Sequence, residues 1–194
     1  NKESSSGIIY GVSARGLRQA TGENNTLSHS VSITGLESCA AYHYRVESKT
    51  DTEEIPNKSF KFITSGCDAS VIANSQTDNP IDSILGGTLT LLDAENNEVS
   101  LRMSSLFSTL KTNFQILQLN KGEYITKIGL PTDLINAGGH IYRPNAFEGD
   151  EEKRISIFDK PLTVKMKYST EDILNIKEDT LTIQKWDGTK WNKL

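Results

Sequence analysis

Apolar side chains recur at every second position through most of this chain, which is the repeat of half-buried antiparallel strands. Ile8, Tyr10 and Val12 mark a strand over 6–13, and Val31 and Ile33 mark another over 28–34. Tyr42, Tyr44 and Val46 line one face of a third over 41–48, with His43, Arg45 and Glu47 opposite. Phe60 and Phe62 lie on a fourth over 59–64. Beyond residue 85 the same repeat predicts strands at 87–92, 97–103, 113–119, 124–130, 139–142, 161–168, 180–186 and 191–194. Val99, Leu101 and Met103 form one apolar row there, and Leu162, Val164, Met166 and Tyr168 another. A short helical turn is predicted at 170–174, where Thr170-Glu171-Asp172 opens like a helix start. No stretch sustains a 3.6-residue period, so the expected fold class is all-β.

Between the two strand-rich stretches the pattern lapses into Asp68, Ser70, Asn74, Ser75, Thr77, Asp78, Asn79 and Pro80, with one ordered piece expected around Val71-Ile72. This composition predicts a linker. The expected organisation is two antiparallel β-sandwich domains in tandem: 1–66, a linker at 67–85, and 86–194. Tyr42, Tyr44, Phe60 and Phe62 are the expected core of the first. Leu101, Met103, Val164, Met166, Leu181 and Ile183 are expected in the second.

One corner is legible in detail. Leu36 lies six residues before Tyr42, the spacing at which a β-sandwich turns between sheets and a tyrosine hydroxyl bonds back to the upstream backbone. Cys39 and Cys67 are the only cysteines. They bracket the hairpin of the third and fourth strands and are equidistant from a turn centred near residue 53, so register alone brings them together. A disulfide there implies an oxidising compartment. The alternative is two buried free thiols. No C-x-x-C or neighbouring histidine pair suggests zinc.

Composition then excludes some partners. The formal charge of −4, with 21 basic and 25 acidic residues, argues against nucleic acid. The charges balance over 1–66, so the acidic excess belongs to 67–194. No run of about 18 apolar residues exists to span a bilayer. The opening Asn1-Lys2-Glu3-Ser4-Ser5-Ser6 reads as a segment of something longer.

Residues 1–66 resemble the later two-thirds of a fibronectin type III domain. The resemblance rests on Ile9-Tyr10-Gly11, the run Ser30-Val31-Ser32-Ile33-Thr34-Gly35-Leu36, Tyr42-His43-Tyr44-Arg45-Val46 and Ser59-Phe60-Lys61-Phe62. It implies that the first strands of the family are missing, either removed or supplied by another segment such as a donated strand. Residues 86–194 are similar to a module that follows such domains in large bacterial surface proteins, distantly like the sandwich of ankyrins and netrin receptors. The matching residues are Gly86-Gly87-Thr88-Leu89-Thr90-Leu91, Phe158-Asp159-Lys160-Pro161-Leu162-Thr163-Val164 and Leu181 to Leu194. That module implies a further strand or hairpin after Leu194.

Candidate chemistry is sparse. His29, His43 and His140 are scattered without metal spacing, and no G-x-S-x-G elbow accompanies the serines. The acidic loop holding Glu148, Asp150 and Glu151 offers hard oxygens suited to calcium, although a D-x-D-x-D-G spacing is lacking. Trp186 and Trp191 flank the turn Asp187-Gly188-Thr189-Lys190; they can stack on sugar rings or on each other. Asn24-Asn25-Thr26 and Asn57-Lys58-Ser59 fit a glycosylation sequon. The resulting expectation is a non-catalytic extracellular structural or adhesive segment of a larger cell-surface or secreted protein, acting as spacer, assembly or binding module beside flanking domains or other surface-protein subunits. The competing expectation is an accessory carbohydrate-binding region of a secreted hydrolase.

Overall fold

The computed structural model describes residues 3–14, 18–24, 26–50, 58–131, 140–149 and 152–194. It is mostly strand, in antiparallel sheets, with one α-helix. The first sheet is built from β1 (Gly7–Gly11), β2 (Arg18–Thr21), β3 (Ala41–Glu47) and β4 (Ser59–Ile63) in the order β2-β1-β3-β4. Tyr42 lies opposite Phe62 and Tyr44 opposite Phe60, and the rings stack at 5.5 and 5.3 Å. Such directly opposed aromatic pairs stabilise a ribbon by roughly 0.5–1 kcal/mol each. Tyr42, Tyr44 and Phe62 enter the first core as expected, whereas Phe60 remains 45% exposed on the edge strand.

The corner forms as its spacing predicts. The Glu37 N–H donates to the Tyr42 hydroxyl at 3.1 Å, and Gly35 takes the left-handed φ of 69° needed just before it. Tyr42→Phe leaves that amide without its acceptor. The expected loss in urea unfolding is about 1–3 kcal/mol, the penalty for an orphaned buried donor, and an unchanged midpoint would refute the assignment.

Six of the remaining strands form two facing sheets. One joins β5 (Val71–Gln76), β8 (Thr112–Leu119) and β9 (Ile141–Glu148) in the order β5-β8-β9. The other joins β6 (Gly87–Leu92), β7 (Glu98–Met103) and β10 (Thr163–Met166) in the order β10-β7-β6. Leu89, Leu91, Val99, Leu101, Met103, Phe107, Phe114 and Ile116 are buried between them, with Val164 and Met166 packed at the margin. A hairpin of β11 (Gln184–Trp186) and β12 (Trp191–Lys193) closes the chain. No helix among the described residues is long and apolar enough to cross a membrane.

Several expectations are corrected. Residues 124–130, expected as a strand, contribute to α1 (Lys121–Ile128). The β-branched content of Ile125-Thr126-Lys127-Ile128 suggests a strand, but the ends decide: the Asn120 side chain accepts the Glu123 N–H, and Gly129 follows the last turn. Residues 28–34 carry no ladder, although Ile33 packs against the first core. Residues 170–174 form the expected single turn, opened by reciprocal bonds in which Asp172 accepts the Ser169 N–H and donates its own N–H to the Ser169 hydroxyl, and it does not extend into a helix. Leu181 and Ile183 lie outside the buried clusters. The stretch 67–85 is not loop throughout: β5 within it pairs along β8, with a register shift between Val71 and Ala73.

β8 explains the layering. All eight of its residues are buried, polar ones included. Phe114 and Ile116 face the β6–β7–β10 sheet, while Leu117 and Leu119 face Cys39, Ala41 and Tyr124. The middle sheet is therefore covered on both sides.

Candidate functional site

Cys39 and Cys67 form the expected disulfide, with Cα atoms 4.7 Å apart. The path to it differs from simple register. With Ala41 opposite Ile63, Cys39 faces Ser65 and donates its N–H to the Ser65 carbonyl. Gly66, at a φ of 90°, then turns Cys67 back to meet Cys39. A Cβ at Gly66 would lie 2.9 Å from the Ser38 Cβ, so glycine suits the close approach as well as the left-handed backbone.

The disulfide sits in a densely bonded junction between the first sheet and the middle sheet. Gln115 of β8 presents its amide to Ala41 of β3: its Oε1 accepts the Ala41 N–H at 3.0 Å, and its Nε2 donates to the Ala41 carbonyl at 2.6 Å. Gln76 of β5 donates to the Val12 carbonyl, and Glu152 accepts the Val12 N–H at 2.9 Å. Asn145 of β9 donates to the Cys39 carbonyl, and Arg154 bonds both the Asn145 amide oxygen and the Ser38 carbonyl. Buried backbone groups must find partners. Here the ends of β1 and β3 find them in side chains from elsewhere in the chain. Phe147 of β9, fully buried, completes the apolar core of Tyr10, Val12, Ala40 and Tyr42.

Of the acidic loop, Asp150 and Glu151 lie outside the described residues, and Glu148 ends β9 opposite Thr112. The loop's clearest structural contribution comes from Glu152. Its carboxylate is buried, bonds Val12 and pairs with Arg18 at 3.3 Å. Burial raises its pKa above the usual carboxyl value, against the lowering by the Val12 N–H and Arg18. A raised folded-state pKa means stability present at acid pH that falls as pH rises through that value. Glu152→Gln keeps an acceptor for Val12 and removes the buried charge. Relative to this variant, the native protein is expected to lose thermal stability between pH 4 and pH 8; a constant difference would contradict the assignment.

Trp186 and Trp191 face each other at 5.6 Å across the terminal hairpin. Trp191 also meets Tyr124 edge-on at 6.2 Å and donates its indole N–H to the Gly129 carbonyl at 3.3 Å. Its surface is thus used in holding the hairpin against α1. Trp186 is half-buried.

The histidines fall in three settings. His29 lies between Ser6 and Ser4 at 2.6 and 3.2 Å. The single Ser6 proton is directed to the Glu23 carbonyl at 2.8 Å, so His29 Nδ1 must donate to Ser6. Toward Ser6 that polarity is the reverse of a general base acting on a serine, while a neutral ring turns its Nε2 lone pair to the Ser4 hydroxyl. His43 is buried in the first sheet, where burial holds its pKa below the usual imidazole range, as Lys61 also does.

His140 stands apart. Its Nδ1 lies 3.1 Å from Asp93 Oδ2 and 3.9 Å from Glu95 Oε2, and its Nε2 lies 3.4 Å from Asp172 Oδ1. Asp93, Glu95 and His140 each offer one ligand atom within 4.8 Å of the others. The β6–β7 turn fixes Asp93: its Oδ1 accepts the N–H groups of Glu95 and Asn97. The Tyr142 hydroxyl donates to Asp93 Oδ2 at 2.7 Å, and Gln118 donates to Glu95 Oε2 at 2.9 Å. Burial, and then the bond to Asp93, drive the Tyr142 phenol far above its usual pKa. The sequence pattern did not reveal this cluster. The D-x-E of a hairpin tip was visible, but its histidine comes from another strand.

No protein-family model matches the chain, and neither a curated protein nor a solved structure matches it.

Proposed function

We propose that this chain is a non-catalytic structural segment of an extracellular or cell-surface protein, working as a stiff spacer that holds neighbouring domains or subunits at a set separation. Its first unit is a fibronectin type III-like sandwich and its second a surface-protein β-sandwich module. The observation that carries the reading is the junction. Side chains of the middle sheet fill the backbone hydrogen-bonding positions of Val12, Cys39 and Ala41, so neither unit can rotate without breaking several buried bonds. Units joined by a tether alone would swing freely. The Cys39–Cys67 bridge supports an oxidising location.

Spin labels placed on Lys61 of β4 and Lys165 of β10 by an orthogonal amino-acid chemistry test stiffness. A single narrow distance distribution is expected, and a broad one would overturn the spacer reading. Thiol trapping in the native source tests location: Cys39 and Cys67 should resist alkylation until reduced. Saturable binding on a glycan array, lost on Trp186→Ala, would transfer the assignment to an accessory carbohydrate-binding region.

A further inference from the structure

We propose that Asp93, Glu95 and His140 form a binding site for a divalent metal ion of the zinc class. Carboxylates face His140 on both sides, Asp93 and Glu95 at Nδ1 and Asp172 at Nε2. Ionised carboxylates only accept hydrogen bonds, and a neutral imidazole has one N–H to give. With the ring proton on Nε2, directed at Asp172, the Nδ1 lone pair faces Asp93 and Glu95 and is open to a cation; the Asn97 amide nitrogen also lies 3.5 Å from Nε2. Among the described residues no lysine or arginine forms an ion pair with Asp93, Glu95 or Asp172. The Asp93 side chain has no solvent exposure, and the Glu95 and Asn97 N–H groups and the Tyr142 hydroxyl hold it in place.

The geometry favours the metal on the Nδ1 side. Tetrahedral ligands at the usual zinc distances stand about 3.3 Å from one another. The 3.1 Å from Nδ1 to Asp93 already matches, and the 3.9 Å to Glu95 closes with a small shift. Glu95 has that freedom, its side chain being 57% exposed, and a fourth position is left on its solvent side. The surrounding groups have the form of an outer shell: Asp172 accepts from the far imidazole nitrogen, Tyr142 donates to Asp93, and Gln118 donates to Glu95. One imidazole with two carboxylates suits zinc better than calcium, which takes six to eight oxygens. The ion would tie the β6–β7 turn to the start of β9.

Isothermal titration with zinc chloride, with calcium chloride in parallel, tests the site. The native protein should bind one zinc ion saturably and calcium far more weakly. Glu95→Gln, a change at an exposed side chain, and His140→Gln should each abolish that binding. Asp172→Asn should weaken it by about 10–100-fold, the cost of losing an outer-shell partner. Circular dichroism of each variant checks that the fold is kept. Absence of saturable zinc binding, zinc binding undiminished in Glu95→Gln, or calcium binding as tight as zinc would each overturn the proposal.

Discussion

Phe147→Ala is expected to destabilise the protein by about 3–5 kcal/mol, the range for truncating a fully buried phenylalanine. The ring has no exposure and packs among Tyr10, Val12, Ala40 and Tyr42, which lie on or next to strands of the first sheet. The Arg154 guanidinium lies 5.2 Å from its centroid and loses that face as well. The effect should therefore appear where the sequence would not place it. A substitution at residue 147 should loosen the sheet formed by residues 7–63. Urea unfolding followed by far-ultraviolet dichroism measures the total loss. The part of the tyrosine fluorescence that comes from Tyr10, Tyr42 and Tyr44 should fall earlier in the variant than the tryptophan signal from the terminal hairpin. A loss below about 1 kcal/mol, outside the range for buried aromatic truncation, would show that β9 merely touches the first sheet.

Removing the disulfide is the other large change. Cys39→Ala with Cys67→Ala frees a loop with a sequence separation of 28, worth about 3–4 kcal/mol on the chain-entropy model. Cys39 is fully buried beside Ala41, Leu117 and Leu119, so the bridge also anchors the junction from which Gln115 reaches Ala41. Chemical denaturation with and without reductant should reproduce most of the loss; a difference under about 1 kcal/mol would show the covalent link to be redundant. Single-molecule extension offers a geometric check. Reduction should release about 100 Å of additional contour length, because each residue spans at most about 3.6 Å when extended.

The strands that could be read were those whose burial comes from one face. Val99, Leu101 and Met103 alternate because β7 packs inward on one side only. β5 could not be read that way. Val71-Ile72-Ala73-Asn74-Ser75-Gln76 has no clean alternation, and its place in the sheet is fixed by pairing with β8, which local composition does not encode. α1 was legible by its ends, where Asn120 and Glu123 stand three apart, but its β-branched centre argued the other way. The disulfide could be inferred because a hairpin relates its two halves by register. Asp93 and His140 have no such local relation: β7, β8 and α1 intervene, and only the tertiary fold brings them together.

The double coverage of β8 sets how the molecule should exchange with heavy water. Amide protons on a one-sided strand escape through local fraying, but those of Ile116, Leu117 and Gln118 lie beneath layers on both faces. Their deuteration should await global opening, so the slowest amides report the free energy of the whole assembly rather than of either half.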